Sequence, residues 1–237
     1  MSNLLNMDTR IFYNNRSLPS NVLLVEQGVP HSIEGRWMKK VVQDSKIRFS
    51  TWNIGTLKDK SWEVVRVMKD RKINILCLQE TKWVGAEARD IGGYKLWYTG
   101  KVRSKNGVGI IVDEEWKKNV VAINRIGDRI ISLKMVVEEE TINVISAYAP
   151  QVGAESHMKE QFWEELEALI QGIPILEKVF IGGDLNGHVG REAGQYTQAH
   201  GGFGFGELNN EGQSIIDFCM AYDLKIVNTC FKNEKSI

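Results

Sequence analysis

The sequence is poor in cysteine, proline and histidine, carries no net charge and has no long apolar run. Its three cysteines, Cys77, Cys219 and Cys230, lie in apolar stretches without paired spacing. An odd number so placed argues against a disulfide framework and against zinc, and leaves small buried thiols in a reducing compartment. The 30 basic residues balance the 30 acidic ones. No global field therefore draws the chain to nucleic acid, membrane or acidic ligands, and any polyanion site has to be local: a patch, a metal or both. No apolar stretch approaches the ~20 residues of a membrane-spanning helix. The opening MSNLLNMDTR lacks the charged start and apolar core of a secretory signal. The expectation is a soluble intracellular protein, nuclear or cytoplasmic, with no membrane partner and no obligate protein partner evident.

What is present is core-forming material. With 237 residues, of which 43% are hydrophobic, the chain suffices for one full domain. Residues 1–45 show no sustained period; polar residues interrupt short groups such as Val22-Leu23-Leu24-Val25, so this part reads as a poorly ordered leader. Pattern begins at Ile47, where apolar and polar residues alternate to Trp52 as in a half-buried strand. Ser61–Arg71 places Trp62, Val65 and Met68 on one helical stripe. Ile73–Leu78 is a nearly continuous apolar run typical of a buried central strand. Further strands are expected at 94–98, 107–112, 120–123, 130–137, 141–147, 179–181 and 224–227, with a polar hairpin turn over Glu138–Glu140. Helices are expected at 156–170 and 210–222, and a glycine-rich loop at 201–206. Many strands with few helices predict a mixed α/β sandwich over 46–237.

Three of these strands end on chemistry. Phe49–Asn53 ends on an amide, Ile75–Glu80 on a carboxylate, and Val179–Asn186 on a carboxylate and an amide two residues apart. Each ending alone is also a turn sequence; their conjunction carries the weight. Two apolar strands that feed Glu80 and Asp184 to a common edge bring negative charges together. Such carboxylates raise each other's pKa unless a cation lies between them. A few hard oxygen ligands, with water filling the rest, suit Mg²⁺, with Mn²⁺ as the alternative, and such a site handles phosphate.

The segments Trp52-Asn53, Leu78-Gln79-Glu80-Thr81-Lys82, Ala147-Tyr148-Ala149-Pro150 and Gly182-Gly183-Asp184-Leu185-Asn186-Gly187 stand in the order and rough spacing of the endonuclease/exonuclease/phosphatase superfamily. The fullest resemblance is to the apurinic-type endonucleases of RTE-like non-LTR retrotransposons and to craniofacial development protein 2-like sequences, over about residues 46–232. It implies a two-layer, DNase I-like α/β sandwich, Mg²⁺, and DNA as substrate. It also implies roles: Glu80 as metal ligand, Asn53 assisting that metal and its waters, and Asp184 orienting or deprotonating the attacking water. Asn186 would hydrogen-bond the nucleophile and a phosphate oxygen, and the Tyr148 hydroxyl would reach the scissile phosphate. Gln151 stands where many relatives have asparagine, so its amide reaches further. Lys101, Arg103 and Lys105 alternate in a loop and are candidates for DNA phosphates; Trp83 and Trp97 are candidates for base stacking.

The resemblance also implies an aspartate before an aromatic in a late strand, and a final Ser-Asp-His. Neither occurs in this sequence, whose histidines are His31, His157, His188 and His200, His188 being the nearest substitute. The expectation is a sandwich missing its C-terminal strands, with one sheet edge uncovered, poor solubility and turnover lowered roughly 10²–10⁴-fold. Three function classes stay open on sequence alone: a Mg²⁺-dependent DNA endonuclease, a phosphatase or phosphodiesterase acting on small phosphoesters or phospholipids, and a catalytically dead binding module.

Overall fold

The computed structural model describes residues 9–14, 22–24 and 47–231, the first two segments through their backbone. Two six-stranded sheets stack face to face. The first runs β2 (Val22–Leu24), β3 (Ile47–Asn53), β4 (Ile75–Gln79), β7 (Val108–Val112), β6 (Tyr94–Thr99), β5 (Ala88–Ile91). The second runs β14 (Leu224–Ile226), β1 (Thr9–Asn14), β11 (Lys178–Asp184), β10 (Glu140–Tyr148), β9 (Ile130–Val137), β8 (Val120–Ile126). A two-stranded ribbon, β12 (Val189–Gly190) with β13 (Phe205–Leu208), lies beyond β11 in the chain. The expected sandwich is present, with helices covering its outer faces.

Side-chain alternation builds three apolar layers from these strands. Between the sheets, Phe49, Ile75, Cys77 and Ile110 meet Leu133, Val144 and Phe180, and the Phe49 and Phe180 rings stack at 4.4 Å between centroids. The opposite face of the first sheet, with Leu76, Leu78 and Ile111, is covered by Val64, Val65 and Met68 of α1 (Ser61–Asp70). The outer face of the second sheet, with Ile145 and Ile181, is covered by α2 (Ser156–Gln171) and α3 (Asn210–Ala221) through Phe162, Leu166, Ile215 and Phe218. Local signals set the ends. Asn209 caps α3 by accepting the Gly212 N–H at 2.8 Å, which satisfies one of the orphan donors of the first turn. Lys72 takes a left-handed conformation, φ 56°, so that the Ile73 N–H folds back onto the Met68 carbonyl at 2.8 Å and closes α1. Val137 and Glu140 pair across the predicted hairpin turn.

Three differences from the sequence reading stand out. Within the expected leader, Thr9–Asn14 and Val22–Leu24 pair as strands; the rest of 1–46 lies outside the described residues. β1 lies antiparallel to β11 on one side and to β14 on the other, so the second sheet is completed by a strand from within the expected leader. β5, with three exposed residues in ARDI, and the ribbon β12–β13 carry too little apolar alternation to be read as strands. No helix among the described residues is long and apolar enough to cross a membrane.

Phe12 stands opposite Ile181 in one neighbour and Ile226 in the other, so its N–H faces a partner strand whichever way it points. Phe12→Pro removes that donor and leaves a carbonyl unpaired. It should lower stability by about 1–3 kcal/mol, read as a lower urea midpoint at unchanged slope.

Candidate active site

β3 and β4 run parallel, with Asn53 beside Gln79; β10 and β11 run parallel, with Tyr148 beside Asp184. Counting by twos from the shared core places Phe49, Thr51 and Asn53 on one inner face. Val144, Ser146 and Tyr148, and Phe180, Gly182 and Asp184, line the other. Three inward-facing positions, Asn53, Tyr148 and Asp184, therefore emerge at one end of the layer between the sheets. Glu80 would point outward if β4 continued; its left-handed backbone, φ 53°, turns the chain and brings its carboxylate in with the others.

The side chains converge. Asn53 Nδ2 donates to Glu80 Oε1 at 3.0 Å and to Asp184 Oδ2 at 2.7 Å, so one amide nitrogen is shared by both carboxylates. The Asn53 carbonyl accepts the Gly55 N–H at 3.0 Å, which fixes which way the amide faces. The Tyr148 hydroxyl donates to Glu80 Oε1 at 2.8 Å, and Lys82 Nζ lies 3.3 Å from Glu80 Oε2. The Asn186 N–H donates to Asp184 Oδ1 at 3.2 Å, while its side-chain amide holds the Ala149 carbonyl at 2.8 Å. Asp184 is only 2% exposed. Gln151 is exposed, three residues beyond Tyr148. All five residues picked out for catalysis or metal ligation, Asn53, Glu80, Tyr148, Asp184 and Asn186, thus form one cluster.

Burial alone would raise the Glu80 pKa. The hydrogen bonds from Asn53, Tyr148 and Lys82, together with the Lys82 charge, outweigh it and hold the carboxyl below its ordinary 4.5. Burial, and then the adjacent Glu80 carboxylate, push the Tyr148 hydroxyl well above its usual range. The tyrosine is thereby kept protonated as a donor. Among the described residues no three His, Cys, Asp or Glu converge as a metal cage. The available donor set is two carboxylates and amide oxygens. Such hard, sparse ligation fits a hydrated hard divalent cation with Glu80 and Asp184 as its charged neighbours.

Of the basic loop, Lys101, Arg103 and Lys105 are all exposed; Arg103 lines a recess of about 560 Å³ beside the cluster, together with Lys58, Lys82, Trp83, Arg89 and Tyr98. Trp97 packs in the core instead, 9% exposed. His188 is exposed, with its backbone N–H bonded to Asn209. His200 is buried; its Nδ1 accepts the Gly202 N–H, so its Nε2 proton faces the Gly190 carbonyl at 3.2 Å. His31 lies outside the described residues. The sequence reading missed Arg129, whose guanidinium donates to the Tyr148 carbonyl at 3.1 Å and lies over the Tyr148 ring at 5.2 Å. It stands just before β9, in the turn after β8, with no motif around it. Lys82 was quoted within a motif, but nothing local marked it as the ion-pair partner of Glu80.

The profile of the Endonuclease/Exonuclease/phosphatase family matches residues 50–228. Craniofacial development protein 2 of Tragulus javanicus is 33% identical over 184 residues, covering 77% of this chain and 32% of that protein. Its Bos taurus counterpart is 32% identical over 184 residues, covering 77% and 31%. The chain thus spans about a third of the length of these curated relatives. Among solved structures, an AP endonuclease from Archaeoglobus fulgidus superposes with a TM-score of 0.52 at 20% identity, over 73% of this chain and 69% of that one.

The Glu80 pKa is depressed in the folded state, so the unfolded chain binds the extra proton first. The stability this gives is full above the unfolded value and is lost as pH falls through the lower, folded one. Unfolding midpoints should therefore fall more steeply from about pH 5 to 3 in the parent than in Glu80→Gln. Equal slopes would remove Glu80 as the cause. A second expectation concerns sheet spacing. A Cβ on Gly182 would sit 2.7 Å from Cys77 Cβ, 2.9 Å from Cys77 Sγ and 3.1 Å from Thr51 Cβ. Gly182→Ala should destabilise by about 1–3 kcal/mol, read as a lower urea midpoint at unchanged slope.

Proposed function

Since the chain belongs to the endonuclease/exonuclease/phosphatase family, we propose that it is a Mg²⁺-dependent phosphodiester hydrolase acting on DNA, with Mn²⁺ able to replace Mg²⁺. One observation carries the reading: a single amide, Asn53 Nδ2, bridges Glu80 and Asp184, with the protonated Tyr148 hydroxyl on the same carboxylate. That gathers an anionic cation site, a base and a hydrogen-bond donor within one cluster, the parts an in-line displacement at phosphorus requires.

The residues divide the work by environment. Glu80, ionised and partly open to solvent, would hold a cation together with Asp184. A bound divalent ion would offset charge on the phosphoryl oxygens. Asp184 accepts a proton from the attacking water. Its orientation is fixed by Asn53 on one oxygen and the Asn186 N–H on the other, which leaves further lone pairs for the water. Tyr148 donates to a phosphate oxygen and cannot act as base, because burial and the Glu80 charge hold its proton on. Arg129 braces the ring from behind. The Archaeoglobus enzyme, named an AP endonuclease, supports this reading at the level of the fold.

Two other activities predict different results. A phosphatase of the same scaffold would cleave small phosphoesters or phospholipid head groups and leave DNA intact, because the surrounding loops choose the substrate. A binding module would keep its partner after loss of either carboxylate. With Mg²⁺ and a supercoiled or abasic-site DNA, the parent chain should nick the strand. Asp184→Asn should lower kcat roughly 10²–10⁴-fold. Glu80→Ala should weaken Mg²⁺ binding measured by calorimetry and raise, in parallel, the cation concentration needed for half-maximal rate. A parent chain that cleaves small phosphoesters but no DNA, or neither, overturns the proposal.

A further inference from the structure

A recess of about 560 Å³ opens beside the cluster, a size typical of pockets that enclose an organic ligand. Four cations, Lys58, Lys82, Arg89 and Arg103, line it without a single carboxylate. Lys82 is the ion-pair partner of Glu80, so the recess and the catalytic cluster share a side chain. Arg89 contacts Glu87 loosely, at 3.8 Å. Lys58 and Arg103 are exposed and have no ion pair with any described residue.

Thr56, Val84 and Ser104 complete the lining with two aromatic rings, Trp83 and Tyr98. Trp83 stands edge-on to Tyr98 at 5.1 Å, and the Tyr98 hydroxyl is tied to Glu87 at 2.9 Å. The Arg89 guanidinium lies over the Trp83 ring at 4.7 Å. Lys58 and Arg103, without ion pairs among the described residues, and the aromatic pair beside them are the two components that hold a single nucleic-acid strand: charge for the backbone, a π-face for the base. A small inorganic anion would use only the first of them, and a regular duplex turns its bases inward, away from the second.

We infer that this recess binds one unpaired nucleotide adjacent to the bond to be cut, its phosphate between Lys58 and Arg103 and its base against the Trp83–Arg89 stack. The inference rests on the nuclease reading of the neighbouring cluster, and it adds a preference: strands that are single-stranded or easily unpaired next to the scissile phosphate.

The test uses the full chain carrying Asp184→Asn, so that strands are not cut, and fluorescence anisotropy with a labelled single-stranded DNA oligonucleotide and its duplex. Lys58→Ala with Arg103→Ala should raise the single-strand Kd roughly tenfold and flatten the plot of log affinity against log salt by about 1 to 1.5. Trp83→Ala should weaken it roughly tenfold to a hundredfold, and should affect the duplex less. Lys118→Ala, exposed beside the opposite end of β4 and β7, serves as the control and should change nothing. Unchanged single-strand affinity and salt slope in the double variant, whose two sites are exposed and leave the fold intact, overturns the inference; so does a loss confined to the duplex. The two readings fail separately. A parent chain that cuts DNA while the recess variants keep their affinity and KM loses the recess and keeps the nuclease. A parent chain that cuts nothing, with binding lost in the variants, keeps the recess and loses the nuclease.

Discussion

The structure depends on a polar staple buried between its two sheets. Gln79 is 0% exposed, yet each end of its amide is satisfied. Its carbonyl accepts the Thr51 hydroxyl at 3.2 Å, and its nitrogen donates across the layer to Ser146 Oγ at 3.1 Å and to the Gly182 carbonyl at 3.3 Å. Ser146 in turn donates to the Leu78 carbonyl at 2.9 Å. In a core of low dielectric such a network is strong when complete and costly when broken. Apolar packing alone, as between Phe49 and Phe180 one layer deeper, would let the sheets slide. The directional bonds of Gln79 fix their register directly beneath the cluster. Only with that register held, and with no side chain on Gly182 to wedge the sheets apart, does Asn53 on one sheet reach Asp184 on the other at 2.7 Å.

The cluster built on that platform is less stable than the platform itself. Glu80, Lys82 and Asn186 all have positive φ, a conformation that disfavours residues with a Cβ by about 1–3 kcal/mol each. Between the first two, the Thr81 hydroxyl is buried without a hydrogen-bond partner. Two carboxylates share one amide nitrogen, with one lysine to offset them. Strain, an unsatisfied polar atom and excess negative charge gathered at one end of a well-packed sandwich mark a place shaped for a ligand rather than for stability. A cation there would relieve the charge, and a phosphate would follow it.

The part of this that was legible in the sequence is the part carried by period two. The alternation Phe49-Thr51-Asn53, and the apolar strands ending in Gln79-Glu80 and Asp184, fix which side chains face inward and at which end they emerge, so the cluster could be read before its geometry was known. Glu80 is the instructive exception: strict alternation sends it outward, and only its left-handed turn returns it. What escaped reading was set by tertiary pairing. β5 is a mostly exposed edge strand of mixed polarity. The strands at Thr9–Asn14 and Val22–Leu24 are short, and their pairing partners are distant in the sequence. Arg129 and Lys82 act through space on Tyr148 and Glu80 with no local pattern to announce them.

A chain with no net charge can still attract a polyanion if its charges are sorted. Here the sorting is steep. The acidic pair lies at the mouth of the sandwich, and a few residues away four cations line a recess with no carboxylate among them. Lys82 belongs to both regions, and Glu80 holds it in the ion pair. Any positive charge that takes over Glu80 leaves Lys82 with a weaker claim on it and frees the lysine to face the recess. Occupancy of the acidic cluster and occupancy of the basic recess would then favour each other, because each ligand bears the sign of charge that the other site lacks. Linkage makes such coupling reciprocal. Under such coupling the order in which a cation and a strand arrived would leave their joint affinity unchanged, and that affinity would exceed what either site gives alone.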